Sequence, residues 1–281
     1  MVTLPPADLP AWSEAFSAGV LRQVPLSGPL SAVTPEWAWG GSTGRGVRVG
    51  VVDSGIEHDH PALGGCVRGG VVVEYDEAAD DNIRIEPDEP PRDVAGHGTA
   101  CAGIIHALAP EAELYSVRVL GGDMMGRALQ FANGLDWAIQ HGMQVVNLSL
   151  STARRDYYAL FHELADEAYF ANVVLVSAVN NVLTASYPSL YSSVISVAAH
   201  EGRDPLTYYY NPAPPVEFGA VGIDVRVAWN EGRMLTSTGN SFAAPHIAGL
   251  VALIRAKHPG LTPFQIKTVL QACASNCRHQ G

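Results

Sequence analysis

Short β-branched runs alternate along this chain with longer stretches of helical period. Residues 47–55, VRVGVVDSG, form a Val-rich run halted by Asp-Ser-Gly, the pattern of a buried strand that stops at a turn. The runs AELYSVRVL (112–120), QVVNLSLS (144–151), NVVLVSAVN (172–180) and SSVISVAAH (192–200) predict further strands. Between them, ALQFANGLDWAIQHG (128–142) predicts an amphipathic helix closed by Gly142, and YYALFHELADEAYFA (157–171) predicts a second helix. Strand alternating with helix predicts an α/β fold with a central, mostly parallel sheet and helices on both faces. Ligands of such sheets gather at the carboxyl ends of the strands, where Asp53 and Asn180 fall.

Composition narrows the picture. A chain of 281 residues that is 47% hydrophobic can bury a large core and fits one large domain. Its formal net charge of −11, with only 17 Lys plus Arg, offers no basic footprint for nucleic acid and is repelled by an anionic membrane. No apolar stretch approaches the length of a membrane span, and MVTLPPADLPAWSEAF lacks the basic and apolar regions of a secretory leader. Cys66, Cys101, Cys273 and Cys277 are too few for a disulfide scaffold, and no CxxC pair points to zinc. These features predict a cytoplasmic protein with reduced thiols and no metal ligands. Cys273 and Cys277, four apart, are expected to face one another on a helix. The acidic run EYDEAADDNIRIEPDEPPRD (74–93) is expected to be a solvated loop. A sharper reading has it border a cleft and select basic substrate segments, or hold a weakly bound calcium.

The candidate chemistry begins at GNSFAAPHIAG (239–249), where Ser241 precedes an apolar stretch. Most serines in such places only cap a helix. A nucleophile needs a histidine to take its proton and a carboxylate to orient that histidine. In DVAGHGTACAGIIHAL (93–108), His97 sits between two glycines that let other backbone approach the imidazole. Asp53, ending a buried strand, could accept the imidazole N–H. Cys101, four residues beyond His97 on the same helical face, reads as a small buried hydrophobe.

Taken together these motifs resemble the subtilase family of serine proteases. VVDSGIEHDHPAL is similar to the family's Asp motif, GHGTACAGII to its His motif and GNSFAAPHIAG to its Ser motif, in that order. The resemblance covers about residues 30–273 and implies an N-terminal extension over 1–29 ahead of a catalytic domain over 30–281, with a subtilisin-like three-layer α/β fold. It implies a serine endopeptidase with Ser241 as nucleophile, His97 as base and then acid, and Asp53 as orienting carboxylate. Asn180 matches the asparagine that donates to the oxyanion, with Asn181 its rival, and the Ser241 amide is the second donor. Ser149, Leu150 and Ser151 are expected to line a groove that pairs with extended peptide, and Ser177, Ala178 and Val179 to wall the pocket for the residue before the cut.

Departures from the family pattern carry expectations of their own. Asn240 and Phe242 replace the usual Thr and Met around the nucleophile. Val179 replaces a glycine before the oxyanion asparagine and is expected to narrow the pocket if it points inward, restricting specificity. The segment joining the His helix to LAPEAELY is short, so the family's calcium site there is expected to be missing, and too few residues precede Asp53 for a folding propeptide. The implied function is a specific intracellular peptide-processing endopeptidase, without cofactor. The same triad also suits a peptide ligase or macrocyclase, and the altered neighbours leave open a silent pseudoprotease that binds peptide without cutting it.

Overall fold

All five apolar runs fold as strands shorter than the runs themselves, and most of their residues are buried on both faces of the sheet. The computed structural model describes residues 10–21, 24–26, 30 and 32–279. Its strands are β1 Val24–Leu26, β2 Arg48–Asp53, β3 Val67–Tyr75, β4 Ile83–Pro87, β5 Glu113–Arg118, β6 Val145–Leu148, β7 Val174–Ala178, β8 Ile195–His200, β9 Tyr209–Tyr210, β10 Phe218–Val221, β11 Val225–Trp229, β12 Arg233–Ser237 and β13 Cys277–His279. The helices are α1 Pro35–Trp39, α2 His97–Leu108, α3 Ala128–Gln140, α4 Tyr158–Phe170, α5 Asn240–Lys257 and α6 Pro263–Cys273.

Nine strands form one sheet in the order β4-β3-β5-β2-β6-β7-β8-β10-β9. Its seven inner strands pair in parallel, while β4 and β9 close the two edges antiparallel. Side-chain period sorts the strand residues between two layers. Val49 and Val51 of β2 pack in the core cluster that holds α2 and α5, whereas Val52 joins the opposite cluster with α3 and α4. Gly50 lies on the α3/α4 face too, since a side chain there would meet Met143 and Ala138. One residue after Val52, Asp53 returns to the α2/α5 face at the carboxyl end of its strand. Helix α5 is buried on all sides from Phe242 to Arg255, as expected of a helix that crosses a core rather than covering one. The expected three-layer α/β architecture is therefore present, and α3 ends where Gly142 takes up φ +74°.

Two expectations change. The acidic run is not a loop throughout: β3 and β4 pair as a hairpin, with Glu74 opposite Arg84 and Val72 opposite Glu86. Arg84 of the edge strand β4 gathers Glu74, Asp76 and Glu86 at 3.0–3.6 Å, so one cation holds three of the run's carboxylates, and charge keeps that edge from pairing further. Cys273 and Cys277 do not share a helix, because Ala274 turns to extended backbone (φ −63°, ψ 141°) and Cys277 starts β13 beside β1. All four cysteines are free thiols. Among the described residues no helix is long and apolar enough to cross a membrane.

Candidate active site

The turn after β2 and the start of α2 are packed so closely that only glycine fits. A side chain at Gly98 would strike the Gly55 carbonyl and press on Asp53, and Gly55 itself adopts φ +104°. This approach brings His97 Nδ1 to 2.8 and 3.0 Å from the two Asp53 carboxylate oxygens. Asp53 is fully buried, and its Oδ1 also accepts the Ser54 amide at 2.8 Å. Asp93 organises the same corner. It accepts the Ser54 hydroxyl, the amides of Ala95 and Gly96, and both the amide and hydroxyl of Thr99, capping α2 where Gly96 has no side chain to do so. Burial is the largest influence on His97 and lowers its pKa, but the Asp53 charge, its hydrogen bond and the Asp93 charge together outweigh it, leaving the imidazole raised.

Ser241 stands in the first turn of α5, so its amide has no partner within the helix. Its carbonyl would ordinarily bond the amide at position 245, which is Pro245 and has none. Ser149 supplies the replacement: its hydroxyl donates to the Ser241 carbonyl at 2.8 Å, while Asn147 donates to Ser149 at 3.0 Å. The Cys101 thiol lies beneath, 3.3 Å from the Ser149 hydroxyl and 3.5 Å from the Ser241 carbonyl. The Phe242 ring packs 5.3 Å from the His97 ring and joins Ala100, Ile104 and Val227 in a small cluster.

The loop after β7 supplies two asparagines with different tasks. Asn181 Oδ1 accepts the Asn240 amide at 2.9 Å. Asn180 Oδ1 accepts the Val182 amide at 2.8 Å, which leaves the Asn180 Nδ2 uncommitted to that turn. His97, Ser241 and Asn180 all open onto one cleft of about 800 Å³, bordered by Leu150 and Ser151 on one side and Ala178 on the other. Tyr75 and Asn82 bring the tip of the acidic hairpin to its edge, where Arg127 lies 3.6 Å over the Tyr75 ring.

Sequence comparison bears on what this cleft is. Residues 44–281 match the pattern of the "Subtilase family". The chain belongs to the subtilase family. It is 34% identical over 248 residues to subtilisin BL of Lederbergia lenta, covering 84% of this chain and 86% of that protein. It is 32% identical over 253 residues to the minor extracellular protease Epr of Bacillus subtilis (strain 168), a match covering 85% of this chain but only 36% of Epr. The solved structure titled "S41 Psychrophilic Protease" superposes with a TM-score of 0.66 at 27% identity, over 82% of this chain and 83% of that one.

Within this subtilase scaffold, Asp53, His97, Ser241 and Asn180 lie together as expected from sequence, and so do Leu150, Ser151 and Ala178. Three positions differ. Ser177 is fully buried and does not line the cleft, because it shares the α3/α4 face of β7 with Leu175 while Ala178 faces the other way. Ser149 borders the cleft, but its hydroxyl is engaged under α5. Val179 reaches the cleft wall, yet its side chain is 3% exposed and packs with Phe16, Ala198 and Val216, so it does not narrow the pocket. Asp93, Asn147 and the pairing of Pro245 with Ser149 escaped sequence reading. An aspartate just ahead of a helix was the available signal for the first; Asn147 acts through its near neighbour Ser149, whose bond to the Ser241 carbonyl spans 92 positions.

Proposed function

We propose that this subtilase is a serine endopeptidase working through Ser241, His97 and Asp53. The observation that carries the reading is the buried Asp53 carboxylate at 2.8 Å from His97 Nδ1, at the cleft that Ser241 and Asn180 share. Asp53 accepts the Nδ1 proton, which leaves Nε2 as the base. Ser241 Oγ attacks the scissile carbonyl carbon as its proton passes to Nε2. The carbonyl oxygen takes the electron pair and is met by the Asn180 Nδ2 and the Ser241 amide at the positive end of α5. The intermediate collapses as His97 protonates the departing amine. Water, deprotonated by His97, then releases the acyl group and restores the serine. No step is assigned to a metal ion.

Four free thiols fit a compartment where cysteines stay reduced, which supports a processing protease acting inside the cell. Intact mass after treatment with a fluorophosphonate tests the chemistry. A single adduct on the wild type, lost in Ser241→Ala, is expected. A folded protein that takes no adduct would instead be a peptide-binding module. Masses of products from a peptide library distinguish hydrolysis from ligation, because a ligated or cyclised product lacks the mass of one water.

A further inference from the structure

Two departures from the family pattern, Val179 and Asn240, meet at one point behind the oxyanion corner. Asn240, which precedes Ser241, is fully buried, and every polar group of its side chain is bonded. Its Oδ1 accepts the Ala199 amide of β8 at 2.8 Å. Its Nδ2 donates toward the carbonyls of Ala11 at 3.0 Å and of Val179 and Asn180 at 3.2 Å each. Two hydrogens face three acceptors, so one hydrogen is shared. The carbonyls of Val179 and Asn180 bracket the Asn180 Cα, and fixing both fixes the direction of its side chain.

The N-terminal segment closes this knot from outside. Ala11 gives its amide to the Asn181 carbonyl at 2.9 Å and its carbonyl to Asn240, clasping the loop with both backbone groups. Phe16 then packs on Val179 and lies directly over Gly219, where a side chain would collide with its ring. Val179 is therefore not a narrowed pocket but an anchor for Phe16. The amide of Asn240 and the side chain of Asn240 serve opposite ends of one loop, since the amide holds Asn181 and the side chain holds Val179 and Asn180.

We propose that Asn240 is a positioning residue for the oxyanion donor, acting through Asn180, and that the segment from Ala11 to Phe16 completes its hold. The inference rests on the protease reading above. An amide is needed for this role, because a smaller hydroxyl side chain has one hydrogen and cannot reach three carbonyls while accepting from Ala199.

A double-mutant cycle on hydrolysis of a peptidyl 4-nitroanilide that the wild type cleaves tests it. Asn180→Ala is expected to lower kcat about 10²- to 10³-fold, the range for one oxyanion donor, a value measured on a subtilisin. Asn240→Ala is expected to lower kcat about 10- to 100-fold with KM nearly unchanged, as for a small misplacement of a reacting group. In the Asn180→Ala background the same change is expected to have an effect of less than about 2-fold, since the group it positions is gone. Equal losses in both backgrounds, or a lowered Tm with unchanged kcat, would overturn the proposal. Phe16→Ala loosens the segment without touching Asn240 and covers the case in which Asn240→Ala fails to fold. Its kcat loss is expected to be smaller and likewise to vanish beside Asn180→Ala; a loss that persists there would also overturn the proposal. A wild type that neither takes the fluorophosphonate nor cleaves any nitroanilide would remove the protease reading itself, and this inference with it.

Discussion

The two sides of the cleft are held by different means. On the His97 side, geometry comes from what the sequence lacks: Gly55 and Gly98 strip away side chains until the turn after β2 and the start of α2 nearly touch, Gly96 does the same against Trp229 and Asn230, and Asp93 ties the remaining amides. On the Asn180 side it comes from an added side chain, Asn240, bridging three separate stretches of chain. Close approach tolerates no substitution, whereas a hydrogen-bonded bridge can be rebuilt with other residues if its partners change together. Of the departures from the family pattern around the site, Val179 and Asn240 lie on the bridged side, where the segment after Pro10 joins them, and Phe242 packs against the His97 ring on the other.

The sharpest test of the His97 side is Asp53→Asn. It preserves shape but offers Nδ1 a donor in place of an acceptor, so kcat is expected to fall about 10⁴-fold. The pH profile should move as well. Burial favours neutral imidazole, while Asp53 and Asp93 favour the cation and win, so His97 titrates above its ordinary value. Catalysis needs the neutral base, and kcat/KM of the wild type is therefore expected to rise with pH through that raised pKa. Without the Asp53 charge, burial dominates and the rising limb should shift to lower pH. The linked stability has the opposite direction: it is full below the unfolded histidine's pKa of about 6.5 and fades as pH climbs through the folded value. An unmoved acid limb in Asp53→Asn would mean another group sets it.

On the Asn180 side, the two asparagines separate by readout. Asn181→Ala removes the acceptor of the Asn240 amide and is expected to lower stability by about 1 kcal/mol, with a smaller loss of kcat than Asn180→Ala. A reversed ranking would give the oxyanion role to Asn181.

How far all this was legible depends on the distance over which each feature is written. Strand positions came from runs of Val and Ile whose pattern needs no partner, and His97 from two glycines at its own shoulders. The cleft's lining was read one residue at a time, and there period decides: Ser177 and Ala178 are adjacent, yet one faces α3 and α4 and the other the cleft. The hairpin of 67–87 was hidden because its charges mimic a loop, although Ile83 and Ile85 alternate with Arg84 and Glu86 as a strand should. Least legible was Asn240, whose partners at Ala11, Val179 and Ala199 only the folded chain brings together.

Between the two sides lies the first turn of α5. Pro245 leaves the Ser241 carbonyl without its helical partner, and Ser149 replaces that bond. Ser149→Ala strands a buried carbonyl and the Asn147 amide behind it, an expected loss of about 1–3 kcal/mol read as a lower denaturation midpoint. Ser149→Thr keeps the hydroxyl and should recover part of it; no recovery would assign the loss to packing.

The smallest effect is expected at Cys101. Its sulfur touches the Ser241 carbonyl and the Ser149 hydroxyl and lies 3.8 Å from Asp53 Oδ2, so it invites a chemical role. Burial argues otherwise. Desolvation, and then the Asp53 charge, push the thiol pKa well above its ordinary value, which withholds the thiolate that reacts. Cys277, half-buried at the end of the chain, is raised only to about 11. Iodoacetamide at pH 8 should therefore modify Cys277 first and leave Cys101 untouched in the folded protein, as read by peptide mass. Cys101→Ser is nearly isosteric and donates the same hydrogen bonds, so its kcat is expected to stay within about 2-fold of wild type, given how little such volume-conserving changes disturb a core. A larger loss, with Tm unchanged, would make the sulfur itself part of the machinery that holds Ser241 beneath His97.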